Sequence, residues 1–261
     1  MIRKLFFVCS LLTILASCKD EETITLDCLP SGLQNGVIAF YPFHHGSLTD
    51  ESGAQHDLTN TTLATPATDR EQNASCAFLF DNTSGTDQFL SHVNPTFLNN
   101  LNEFSIALWY MHTDINASSA KYQILASRGD TPHCPDRRGE YSLGLYDCTR
   151  AVFGHNNSVW AELVTNPLMT CRDEIDTLLN TWHHVVGIMK SGTYTLYFDG
   201  ELQGTETGPA DCGSSNYTAQ DMGDLILGKY FTGRLDDVLI YDRGLSQAEV
   251  TELYGLTGCC E

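Results

Sequence analysis

The chain has 261 residues, with 33 acidic residues against 14 Lys and Arg and a formal net charge of −19. That balance, with no basic stripe, excludes nucleic acid and anionic lipid surfaces as partners and leaves carboxylates available for a hard cation such as calcium. Eight of the ten cysteines lie beyond residue 18, an even number that reads as disulfides in an exported chain.

The chain opens with Arg3 and Lys4 before "LFFVCSLLTILA", a run too short for a stable membrane span, and reaches "LASC" at Cys18. This resembles a bacterial lipoprotein signal, in which Cys18 is lipidated and begins the mature chain. The following "KDEE" resembles the Lys/acidic tag of Bacteroidota-type lipoproteins sent to the outer face of the outer membrane. The division expected is a signal peptide over 1–17, an acidic tether over 18–33 and one folded domain over 34–261. The membrane enters only through the lipid.

From residue 36 onward the sequence is a series of short runs rich in aromatic and β-branched residues: "GVIAFYPF", "CAFLFD", "EFSIALWYMH", "KYQILAS", "EYSLGLYD", "AVFGHN", "VWAELV", "WHHVVGIMK", "TYTLYFDG", "DLILGKYF" and "GRLDDVLIYD". Gly, Asn, Asp or Ser bounds each run, and no helical period intervenes. This predicts an all-β fold, a two-sheet antiparallel β-sandwich of jelly-roll type. Asp199-Gly200 favours a type I′ hairpin turn. One helix follows, "LSQAEVTELYGL": Ser246 and Glu249 form a capping box, Leu245 is a staple, Ala248, Val250, Leu253 and Tyr254 form its apolar face, and Gly255 is a left-handed stop.

Cys28 near the start and Cys259 or Cys260 at the end suit a staple between the termini. Cys134 with Cys148, and Cys171 with Cys212, are further candidate pairs, with Cys76 completing the set; the sequence leaves the connectivity open. No CxxC spacing supports a zinc site.

The two adjacent histidines in "WHHVVGIMK" invite a metal or acid–base reading. On a strand, His184 lies with Trp182, Val186 and Ile188, whereas His183 points to the opposite face, so one metal cannot bind both. His184 is expected to be a buried ring donating to a neighbour. His44 and His45, at a strand end, read as surface imidazoles. Catalysis by a glycosidase route needs two converging carboxylates. The nearest candidate, "DEIDTLLN", has Glu174 and Asp176 but Leu178 and Leu179 where a second acid would stand. No enzyme is expected.

Five stretches taken in order, "GVIAFYPF" with "LTDESG", "FSIALW", "WHHVVGIMKSGTYTLYFDGELQG", "LILGKYFTGRLDDVLIYDRGLSQAEV" and the closing "LY", resemble the laminin-G-like branch of the concanavalin A-like lectin/glucanase superfamily. The resemblance implies that the His pair and the tryptophans Trp109 and Trp182 are structural. It also implies a structural calcium ion where the first loop meets the last strand, on Asp50, Asp57, Asp236 and Asp237. Asp236 and Asp237 alternate along a strand, so at most one is expected to be a direct ligand. A ligand-binding rim is expected at Trp160, Tyr146, Tyr217, Arg137 and Arg138, aromatic and polar residues in loop-like stretches. The function expected is non-catalytic binding of carbohydrate or another surface polymer, with a protein partner in an outer-membrane complex as the alternative. Arg128-Gly129-Asp130 and the Asn-x-Ser/Thr sequons carry no argument.

Overall fold

A computed structural model describes residues 26, 28–83, 87–114, 122–129, 141–146, 150–155, 163–164, 179–207 and 223–260. In chain order a one-turn helix α1 (Ser31–Gln34) leads into β1 (Val37–Tyr41), β2 (Thr65–Ala67), β3 (Ala77–Phe80), β4 (Leu90–His92) and β5 (Glu103–His112). There follow β6 (Tyr122–Arg128), β7 (Tyr141–Tyr146), β8 (Arg150–His155), β9 (Leu163–Val164) and β10 (Trp182–Lys190). The chain closes with β11 (Thr193–Phe198), β12 (Glu201–Thr207), β13 (Leu225–Leu227), β14 (Gly233–Tyr241) and the helix α2 (Gln247–Tyr254).

Two antiparallel sheets result. The eight-stranded sheet runs β12-β11-β10-β5-β14-β3-β2, with β1 also on β14, and the six-stranded sheet runs β4-β13-β6-β7-β8-β9. Strand parity explains the packing. On β5, Phe104, Ile106, Leu108 and Tyr110 enter the core between the sheets, together with Val185 and Met189 of β10 and Leu143, Leu145 and Phe153 of the facing sheet. Burying each large side chain contributes roughly 1.5–3 kcal/mol. At Gly187 the sheets approach closely: a Cβ there would stand 2.4 Å from Cδ2 of Phe153.

The opposite parity, Ala107 of β5 with Val186 and Ile188 of β10, forms a second core on the outer face of the eight-stranded sheet. α2 covers it with Val250 and Leu253, and the N-terminal segment adds Leu29 and Leu33. Residues 29–33, expected in the tether, therefore belong to the folded body. Ser246 and Glu249 make the expected capping box, and Leu245 packs in the same cluster as Val250. Gly255, at φ −80°, is right-handed and not the expected left-handed stop. Asp199 and Gly200 both have positive φ, as a type I′ turn requires.

Candidate ligand-binding face

The sandwich has two outer faces, and the sealed one holds a buried charged group. A row crosses it in register: His184 on β10, Trp109 on β5 and Asp236 on β14. β14 has a register shift between Asp236 and Leu239, and Asp237 takes a left-handed φ of 44°. The first half of β14 pairs with β3 and the second with β1, so the irregularity lies where one edge neighbour gives way to the other. It overturns simple alternation, because both carboxylates reach the same cation. Arg70 Nη1 is 2.7 Å from Asp236 Oδ2 and 2.7 Å from Asp237 Oδ2, and the guanidinium lies 4.6 Å from the Trp109 ring centre.

One guanidinium between two buried carboxylates leaves the group short of positive charge. Burial, and for Asp236 the neighbouring Asp237, raise both carboxyl pKa values, while Arg70 opposes the rise. His184 is pushed down to about 3 by burial and by Arg70, so its ring is neutral. Its Nδ1 has no hydrogen-bond partner, so the expected donated bond is absent at that atom, and its contacts are Trp109 and Tyr254. His183, on the inner face, stacks on Phe198 and places Nδ1 2.8 Å from Asp199. Both histidines are therefore wall.

The last residues of the described chain complete the seal. Cys28 is bonded to Cys259 and Cys76 to Cys260, which realises the staple between the termini. Cys259 N–H donates to Asp237, and the Cys260 carbonyl accepts from Asn73 Nδ2. His44, expected at the surface, is half-buried, with Nδ1 on Glu51 and Nε2 on the Cys259 carbonyl. Burial works against its charged form, but those two bonds outweigh it and raise its pKa. The cavity among Arg70, Trp109, His184, Asp237 and Cys259 measures about 10 Å³, room for a water and not for a sugar.

The calcium expectation meets this geometry directly. Asp50 is saturated: Oδ1 accepts from the N–H groups of Phe40 and Ser52, and Oδ2 from Ser52 Oγ and the His56 N–H. Asp57 Oδ1 accepts the Asp50 N–H. Asp236 and Asp237 are held by Arg70. The four carboxylates do not converge, and among the described residues no three His, Cys, Asp or Glu side chains are grouped to hold a metal ion. These four residues do not fit calcium as a set.

The outer face of the six-stranded sheet differs in kind. Tyr122 on β6, Tyr146 on β7 and Arg150 on β8 stand side by side in register, and parity puts them on the side away from the core. The next row inward is Ile124, Gly144 and Val152. A Cβ at Gly144 would lie 2.9 Å from Tyr122 Oη and 3.0 Å from its Cζ, so the missing side chain lets the ring lie over the strand. Beyond β6, the Lys229 carbonyl accepts the Ile124 N–H, and the Lys229 ammonium lies 5.4 Å from the Phe89 ring centre and 5.1 Å from that of Tyr230. Ile124, Val152 and Tyr122 are buried, whereas Phe89, Tyr146, Arg150, Lys229 and Tyr230 form a half-buried rim.

Two interleaved sheets, a C-terminal helix on one and an aromatic row on the other agree with the match of the Laminin_G_3 family model to residues 83–251. The chain belongs to the concanavalin A-like lectin/glucanases superfamily. No curated protein matches it in sequence. Among solved structures it is similar to the binding domain of Paraclostridial Mosquitocidal Protein 1, at 15% identity and a TM-score of 0.62, over 85% of this chain and 52% of that one. It is similar to a structure of botulinum neurotoxin type C, whose cell entry depends on interaction with two ganglioside molecules, at 14% identity and 0.61, over 85% and 51%. A third is the binding domain of botulinum neurotoxin DC in complex with rat synaptotagmin II, at 14% and 0.61, over 85% and 52%. The chain spans about half the length of these structures, and at such identities the likeness is one of fold.

Of the rim expected for this member of the superfamily, the structure places Tyr146 on the six-stranded sheet. Trp160, Tyr217, Arg137 and Arg138 lie outside the described residues, as do Cys18, Glu174, Asp176 and the cysteines Cys134, Cys148, Cys171 and Cys212. Sequence reasoning missed Arg70, Tyr122, Arg150 and Lys229. Arg70 had a signal, since two adjacent aspartates in a strand interior require a cation. The other three are separated by loops, and only strand register brings them together.

Proposed function

We propose that this protein binds carbohydrate, or another surface polymer, without catalysis, on the outer face of its six-stranded sheet. The observation that supports this is the in-register row of Tyr122, Tyr146 and Arg150, with Phe89, Lys229 and Tyr230 beside it. Sugars present C–H faces to aromatic rings and hydroxyls to polar neighbours, and this rim offers both. The other outer face is closed by α2, the N-terminal segment and two disulfides, so among the described residues this sheet offers the second broad face. Similar structures act as binding domains, one of them tied to ganglioside molecules, which supports a binding role over an enzymatic one. In this reading Cys18 carries the lipid that tethers the domain to the outer membrane, facing outward.

The alternative, a protein-interaction module of an outer-membrane assembly, has its own observation. Leu63 is 80% exposed and held at φ 71°, a conformation that a leucine rarely adopts. Thr62 beside it exchanges hydrogen bonds with the backbone of Phe89. An outward leucine next to the aromatic rim suits a protein surface.

A glycan-array screen of the purified protein, with and without EDTA, decides between them. Selective glycan binding that Tyr146→Ala weakens at least tenfold supports the carbohydrate reading. Silence across diverse glycans, with capture of a protein partner that Leu63→Ser abolishes, moves the function to the alternative.

A further inference from the structure

We infer that His56 and His92 hold a divalent transition-metal ion of the copper or zinc type at one rim of the sandwich, away from the tyrosine row. His92 ends β4, and its register partner on β13 is Leu225 of the core, so parity turns it to the inner side of the six-stranded sheet. His56 reaches it from the loop between β1 and β2, with its backbone held twice: its N–H donates to Asp50 Oδ2, and its carbonyl accepts from Tyr41 Oη. Each imidazole places Nδ1 on a main-chain carbonyl, His56 on that of Ile38 at 2.8 Å and His92 on that of Asp57 at 2.9 Å. A carbonyl only accepts, so Nδ1 carries the proton in both rings, and in the neutral ring Nε2 keeps its lone pair. The same bond fixes the tautomer and orientation of histidines that ligate metals. Neither Nε2 has a hydrogen-bond partner among the described residues, and neither is sealed from solvent. Both are open to a ligand.

Phe97 holds the two rings in place. It stacks on His56 with centres 3.7 Å apart and planes at 10°, and lies at 78° to His92 with centres 5.4 Å apart. The imidazole centres are 6.0 Å apart, with planes at 82°. Those three distances put His92 beside the stack and not above it, in the direction of the ring edges, where nitrogen lone pairs lie. A metal bonded to both Nε2 atoms stands about 3.2 Å from each ring centre, which allows the centres up to about 6.4 Å of separation. The observed spacing is within that reach. Among the described residues no third His, Cys, Asp or Glu joins the pair, so water or an oxygen of a bound molecule supplies the other positions. Two imidazoles without grouped carboxylates select copper, nickel or zinc over calcium. The chain's net charge of −19, with Asp50 Oδ2 3.6 Å from His56 Nδ1, favours a cation at this rim.

The test is calorimetric titration of the purified protein, stripped with EDTA and dialysed, with Cu2+, Zn2+ and Ca2+ in turn. The proposal expects one equivalent of Cu2+ to bind tightest, with Zn2+ weaker at the same residues. His56→Gln and His92→Gln each weaken both by about tenfold or more, and leave any binding of Ca2+ unchanged. Pulsed EPR of the copper complex shows coupling to two imidazole nitrogens, and to one in His92→Gln. If His56→Gln fails to fold, His92→Gln and the nitrogen count still decide. Binding of Cu2+ and Zn2+ that His92→Gln leaves unchanged places the ion elsewhere and overturns the proposal. So does binding no stronger than that of the double variant His56→Gln/His92→Gln. Competition by Ca2+ for the same residues overturns the class of metal.

Discussion

Replacing Arg70 by methionine keeps most of the side-chain volume over Trp109 and removes the charge. Arg70, Asp236 and Asp237 have side-chain exposures of 7%, 2% and 7%, so the two carboxylates cannot recover solvation in place. Removing one partner of such a buried group costs about 3–5 kcal/mol. For a domain of this size each kcal/mol moves the melting temperature by about 2–4 °C, so Arg70→Met is expected to melt about 6–20 °C lower at pH 7. The deficit shrinks towards pH 4, because burial already raises both carboxyls and protonation removes the unpaired charge. Differential scanning calorimetry at several pH values, with and without EDTA, measures all of this. A loss below about 1 kcal/mol, or a wild-type melting temperature that falls with EDTA while Arg70→Met is unaffected, would refute the assignment of Arg70 as the cation of this node.

Three more outcomes follow from the packing. His184 is held from 6.5 down to about 3, a gap of about 3.5 pH units at about 1.4 kcal/mol each. A depressed histidine contributes stability present above its unfolded pKa and lost as pH falls, about 2 kcal/mol between pH 7 and 5 and about 5 in full; urea titrations of His184→Phe should lack that slope. Removing the Cys76–Cys260 bond, which closes a separation of 184 residues, with a double serine variant should cost about 2–5 kcal/mol in non-reducing urea unfolding. Gly187→Ala places a methyl against the Phe153 ring and should cost about 1–3 kcal/mol, with partial recovery in Gly187→Ala/Phe153→Leu.

The sandwich was legible because its long strands alternate. β5, β10 and β14 each place aromatic or branched residues on a defined face, and the helix announces itself through Ser246 and Glu249. The short strands β2, β4 and β9, of two or three residues each, are too short to show a period. The bulge at Asp237 was hidden as well, since "LDDVLIY" reads as plain alternation until β3 gives way to β1 along the edge of β14. The binding row was half legible. Tyr146 stood out as an aromatic near a loop, but its neighbours Tyr122 and Arg150 come from other strands, and their adjacency is set by pairing register. Arg70 sits in a turn between β2 and β3, 166 residues from the aspartate it neutralises. His44 looked like a surface residue because its partner, the Cys259 carbonyl, arrives from 215 residues away.

Perturbation of NMR resonances by the tightest-binding glycan tests the central claim most directly, because it maps the contact without presuming which residues make it. The account predicts shifts concentrated at Tyr146, Arg150, Lys229 and their strand neighbours on β6, β7 and β8, with His184 and the α2 face unmoved. Shifts centred on the α2 face or the β12 edge, with the Tyr146 row silent, would contradict it.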